Sequence, residues 1–201
     1  MTNTRELQKQ ATRERLLAAA QVVLRRDGLA RATTRAVAVE AGVAHGTLFL
    51  HFRDLPTLVA AVLALTVGPA VEVAVATAPR GALLPALLHV CGGLYAAYDR
   101  DPELARAAIA GSLFHVEHAG VGDQRLADFS VWVVGEVLAA VERGEIEPID
   151  PVLAFSAFFS LYFGFLVAGL RGQLGPEDRL RLLEASLERL FRPRSLSRVY
   201  P

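Results

Sequence analysis

The 201 residues suffice for one medium domain, or for a small domain joined to a larger one. Apolar residues make up 53% and charged residues 21%, so a core forms with apolar surface left over for a partner subunit or a pocket. A single cysteine, Cys91, excludes an internal disulfide and points to a reducing cytoplasm.

The opening Met1-Thr-Asn-Thr-Arg-Glu has no apolar run after its first charge, so it does not read as a secretory leader. The formal net charge of zero hides an asymmetry. Residues 1–67 hold nine basic and five acidic side chains, and the remainder twelve and sixteen. A basic segment on an acidic body suits a protein whose first part alone meets a polyanion.

Helical periodicity dominates, and no alternating stretch is long enough to predict a sheet, so the fold class is all-α. Leu16, Leu17, Ala20, Val23 and Leu24 form one buried helix face, with Thr12 as the expected N-cap and Asp27-Gly28 as the stop. Two short helices follow, near 34–41 and 45–51, broken at Gly42-Val43-Ala44. Asp54 caps the next helix, with Pro56 in its tolerant first turn. Gly68-Pro69 is expected to end or kink it. Five further helices are predicted near 82–99, 102–118, 123–143, 150–172 and 176–192, about nine in all. The expected domains are 1–68, including the linking helix 54–68, and 69–201.

Residues 33–52, TTRAVAVEAGVAHGTLFLHF, carry the densest signal. Two short helices crossing steeply need a tight turn and small residues at the crossing. Ala38 and Ala41 permit the approach, Gly42 supplies the turn, and Val43 fills the corner. Val37, Leu48 and Phe52 anchor the pair. Ala44, His45, Gly46, Thr47, Phe49, Leu50 and His51 are left facing outward. Thr33 and Thr34 bring hydroxyls to a phosphate, and Arg35 and Arg53 bring charge. An N-terminal arm bearing Arg5, Lys9 and Arg13 adds to it.

On these residues the chain resembles the TetR family of bacterial repressors. The shared pattern is Thr33-Thr34, Val37-Ala38, Ala41-Gly42-Val43, Gly46-Thr47-Leu48 and His51-Phe52. The resemblance is specific over residues 11–65 and architectural beyond. It implies nine helices, with a divergent C-terminal domain for ligand binding and dimerisation. Ala44, Phe49 and Leu55 depart from a Ser, a Tyr and a Lys common in the family, and His45 replaces a Lys or Arg. Each of the first three departures removes a hydroxyl or ammonium that reaches phosphate, so a shallow salt slope is expected.

Residues 152–170 contain no charge and just reach transmembrane length. Ser156, Ser160, Gly164 and Ala168 form one ridge, opposite Phe155, Phe158, Phe159, Tyr162 and Leu166. The ridge fits close packing on a symmetry mate, as in the TetR family's penultimate helix. Leu180, Leu183, Leu187 and Leu190 are spaced like a coiled-coil seam and are expected to complete a homodimer interface. For a small apolar or aromatic effector, the candidate lining is Cys91, Tyr95, Tyr98, Phe114, His115, His118, Trp132, Phe158, Phe159 and Tyr162, with His89 nearby. His115 and His118 share a helix face, but the sequence is poor in Cys and His, so no metal and no cofactor is expected.

No phosphate loop, nucleophile elbow or zinc-protease motif is present, so no enzyme is expected. The expected function is a repressor that binds a palindromic operator in double-stranded DNA as a dimer and is released by its effector. The alternatives are a dimeric helical protein that binds small molecules with weak or lost DNA affinity, and a membrane-associated helical protein.

Overall fold

The computed structural model describes residues 4–113 and 121–193. Among them the chain is helical throughout, with nine α-helices and no strand; one isolated bridge pairs Ile146 with Pro193. The helices are α1 (Thr4–Asp27), α2 (Thr34–Glu40), α3 (His45–Phe49), α4 (Leu55–Ala76), α5 (Leu83–Asp99), α6 (Pro102–Leu113), α7 (Val121–Glu142), α8 (Pro151–Leu170) and α9 (Pro176–Leu190). A 3-10 turn, Leu29–Arg31, links α1 to α2.

Several ends follow from local chemistry. The Asp54 carboxylate accepts from the Thr57 amide at 2.8 Å and the Thr57 hydroxyl at 2.6 Å, which satisfies the start of α4. Asp101 and Asp150 do the same for α6 and α8, accepting from the amides of Leu104 (3.0 Å) and Leu153 (2.9 Å).

Two expected ends are corrected. Thr12 is not an N-cap: α1 starts eight residues earlier, and the Thr12 hydroxyl donates back to the Gln8 carbonyl at 2.9 Å inside the helix. Arg5, Lys9 and Arg13 therefore stand on a helix rather than on an arm. Nor does α4 stop at Gly68-Pro69; it runs through Pro69 to Ala76. The residue before a proline is normally driven out of the helical region by its Cβ, and Gly68 has none.

The described residues divide into two compact units. One comprises the chain up to Thr66 together with α6; the other comprises Val67 to Arg100 and the residues from Asp123 onward. The α6 helix thus groups with the first unit, although it lies within the segment that the sequence places in the second domain.

The core of the first unit joins Leu16, Leu17, Ala20 and Val23 of α1 to Val37, Ala38, Leu48, Phe52, Leu58 and Val62. Leu104 of α6 packs against it, and a side chain at Gly111 would collide with Pro56.

In the second unit, α8 buries Ala154, Phe158, Tyr162, Leu166 and Leu170, one residue per turn. Val90, Cys91 and Leu94 of α5, Phe129, Val133 and Val137 of α7, and Leu183 and Leu187 of α9 are buried as well. This corrects two residues of the coiled-coil seam: Leu183 and Leu187 are fully covered within their own chain, while Leu180, against Gly92, and Leu190 are half-buried. They continue the inward stripe of α9 from Arg179, one turn earlier, which is also buried. Both α4 and α8 are long and apolar enough to cross a membrane by length and composition; of the two, only α8 stands out in the sequence reading.

The Arg179 guanidinium pairs with Asp99 and lies 4.7 Å over the Tyr95 ring. It fits only because position 169 is glycine: a Cβ there would overlap it. Its Nε and one terminal nitrogen have no hydrogen-bond partner. Removing the partner of a buried charge costs more than replacing the pair with apolar atoms. Asp99 keeps about a third of its surface in water, so Asp99→Ala should lower stability by about 2 kcal/mol, short of the full buried-pair figure. Arg179→Met should stay within about 1 kcal/mol of wild type. Urea unfolding of the two variants checks the order; equal losses would contradict it.

Candidate nucleic-acid interface and aromatic core

Building outward from the turn, Thr33 caps α2 by accepting from the Ala36 amide at 3.1 Å. The C-terminal end of α2 is closed by Arg15 of α1, which donates to the Ala41 carbonyl at 2.6 Å. Gly42 then takes φ +64°, a conformation that side-chain-bearing residues rarely adopt, and the Val43 amide returns to the Ala38 carbonyl at 3.0 Å. Ala38, Val37, Leu48 and Phe52 are buried as the sequence predicts.

With that face fixed, Ala44, His45, Gly46, Phe49 and Leu50 are exposed, and Thr47 and His51 are half-buried. Thr33 and Arg35 are exposed and Thr34 is half-buried. Arg53 is exposed, 3.9 Å from Asp54. The predicted DNA-facing residues are thus exposed or half-buried along α2, α3 and the turn after it.

Three contacts escape the sequence reading. The His45 Nε2 lies 3.0 Å from the Thr34 hydroxyl, tying α3 to α2, and the His45 ring meets Phe49 edge-on at 4.9 Å, the i, i+4 neighbour. Arg13 stacks 4.5 Å over the Phe52 ring. An open groove of about 510 Å³ runs between α1 and the end of α3, lined among others by Lys9, Arg13, Leu50 and His51. Burial pushes the His51 imidazole below its ordinary range, and Arg13 and Lys9 push it further.

In the second unit, Tyr95, Trp132, Phe158, Phe159 and Tyr162 come together, joined by Phe129, which the sequence reading omits. Tyr95 stacks on Tyr162 at 5.3 Å and donates its hydroxyl to the Tyr162 carbonyl at 2.9 Å. Phe129 lies 6.2 Å from Trp132 and 5.9 Å from Phe158. The Tyr162 hydroxyl is buried beside that of Tyr98 without a hydrogen bond of normal geometry. Burial raises Tyr95, Tyr98 and Tyr162, and holds the Cys91 thiol protonated.

His89 is not among this group; it is exposed and lies 2.9 Å from the Thr77 hydroxyl. Phe114, His115 and His118 lie outside the described residues. No three His, Cys, Asp or Glu side chains converge among the described residues. Arg179 and Asp99 also escape the sequence reading, although a signal was present: Arg179 is four residues before Leu183 on the inward stripe.

Of the interface residues proposed for α8, Ser156, Ser160 and Gly164 are exposed and Ala168 is half-buried. Beside them Val152 and Leu153 are exposed by 74% and 59%.

The family model described as bacterial regulatory proteins, tetR family, matches residues 16–62. No curated protein matches the sequence. A structure assigned as a transcriptional regulator from Pseudomonas aeruginosa PAO1 is 27% identical, with a TM-score of 0.64, covering 89% of each chain. A TetR transcriptional regulator from Rhodococcus sp. RHA1 is 25% identical, with a TM-score of 0.63, covering 88% of this chain and 95% of its own. The structure of RolR with resorcinol shares the fold at 17% identity and a TM-score of 0.65, covering 92% of this chain and 89% of its own.

His51 makes a pH prediction. A histidine with a depressed pKa takes up its proton less readily folded than unfolded, so its contribution to stability falls as pH drops below about 6.5. An NMR titration should place the His51 midpoint below 6.5, and Arg13→Gln should raise it. A wild-type midpoint at or above 6.5 would contradict this.

Proposed function

Because the chain is a TetR-family transcriptional regulator in its N-terminal domain and its fold, we propose that it binds a palindromic operator as a homodimer and represses transcription until a small effector releases it. The observation that carries this reading is the divided surface of residues 33–53. Val37, Ala38, Leu48 and Phe52 lock the motif inward, which leaves His45, Thr47, Phe49, Leu50 and His51 on the solvent side. Thr33, Thr34, Arg35 and Arg53 border them and serve phosphates. In this reading residues 1–68 read DNA and residues 69–201 bind the effector and the second subunit.

Dimerisation is supported by the exposed face of α8, where Val152 and Leu153 continue the ridge of Ser156, Ser160 and Gly164. Small residues let two helices approach closely, and covering the apolar neighbours supplies the driving force. A dimer places two recognition helices about 34–36 Å apart, on successive major grooves. It also gives α8 a partner other than lipid, and the protein is then cytoplasmic and purifies without detergent.

For the effector, the stacked cluster of Tyr95, Trp132, Phe158, Phe159 and Tyr162 favours a small apolar or aromatic compound, and the neighbouring fold of RolR holds resorcinol. The effector acts by preferring a dimer whose recognition helices are spaced wrongly for one duplex. No catalytic step is assigned to the protein.

Selection of duplexes from a random pool tests the reading, with a His45→Ala, Thr47→Ala double variant as control. Enrichment of an inverted repeat by the wild type, lost in the variant, is the expected result. Absence of any enrichment at low salt would reject DNA reading and leave the second unit as the seat of function.

A further inference from the structure

From Ala44 to His51 the chain carries no lysine or arginine. Its solvent side is instead apolar at the centre: Leu50 is 78% exposed and Phe49 47%, and neither belongs to the core of its unit. Charged side chains stand around this patch. Lys9 and Arg13 share the open groove with Leu50 and His51, as do Glu6 and Glu14, and Arg35 and Arg53 are exposed on the segments that flank α3.

A surface with a charged border and an apolar centre matches a DNA major groove, with phosphates along its edges and bases on its floor. The one apolar group that base pairs present there is the C5-methyl of thymine. Guanine is most often read by a forked or ammonium donor, and residues 44–51 offer none. His45 does not fill that role, since its Nε2 faces the Thr34 hydroxyl at 3.0 Å. Its ring instead lies edge-on to that of Phe49, with centroids 4.9 Å apart.

We infer that Phe49 and Leu50 are specificity-determining residues that read thymine methyl groups, so that each operator half-site carries thymine where the end of α3 enters the groove. This rests on the DNA-binding reading above. Thr47 and His51 supply the polar contacts beside them, and Lys9, Arg13, Arg35 and Arg53 fix register without reading sequence.

Deoxyuridine tests this directly, because it removes the methyl and keeps the base-pairing edge. The selected operator is synthesised with thymidines replaced one at a time, and affinities are compared at one salt concentration. A buried methyl-sized group is worth about fourfold in affinity. Replacement at the read position in both half-sites of a palindrome should therefore weaken binding about fifteenfold.

In Leu50→Ala, whose side chain is exposed and whose thermal stability should match wild type, the thymine-to-uracil ratio should fall toward one. Arg35→Ala should weaken both duplexes alike and leave the ratio intact. Equal binding of thymine and uracil duplexes by the wild type would overturn the inference. So would an altered oligomeric state of Leu50→Ala, which would assign the patch to a protein contact. Failure to select any duplex would overturn the underlying DNA-binding reading instead.

Discussion

Helix α3 is five residues long, far too short to hold its shape alone in water. It exists because Leu48 is fully buried in one cluster with Val37, Ala38 and Phe52, while Gly42 and the Arg15 bond to the Ala41 carbonyl fix how the chain enters it. Rotation of α3 about its axis would expose Leu48 and bury Gly46 or Leu50. The inward anchor therefore decides which residues face out, and the outward set is the candidate reading surface. The Thr34–His45 contact adds a polar tie across the same pair of helices.

The second unit obeys a different constraint. Its apolar residues are plentiful, and among the described ones a single charged side chain, Arg179, is buried. Arg179 is buried among α5, α8 and α9, where it needs the carboxylate of Asp99, the face of Tyr95 and the space above Gly169. Two of its nitrogens remain unpaired, a cost that an apolar residue would not carry. The stacked rings of Tyr95, Tyr162, Phe158 and Phe129 lie in the same unit.

Much of the helix-turn-helix was legible because its constraints are crowded into twenty residues. Ala38, Gly42, Leu48 and Phe52 each have one steric job, and the local pattern leaves few ways to satisfy them all. The helix ends were less legible where a local preference met a longer-range one. Thr12 looked like a cap, yet the preceding turns continue α1 and absorb its hydroxyl. Pro69 reads as a stop or a kink, and α4 continues through it to Ala76, with Gly68 sparing the Cβ clash of the residue before a proline. The leucines of α9 fit a dimer seam by spacing, but the same spacing serves a core within one chain, and Leu183 and Leu187 are used there.

By itself the sequence determined the helical class, the helix-turn-helix with its inward and outward residues, the Asp54 cap, and an aromatic second half. Those features depend on residues within a few turns of one another, where periodicity and backbone sterics act directly. Only the tertiary structure decided that Arg179 meets Asp99 eighty residues away, that Tyr95 bonds the Tyr162 backbone, and that α6 groups with the first unit. Such choices turn on which helix faces cover each other. Many pairings of apolar stripes bury similar area, and sequence spacing gives each stripe without naming its partner.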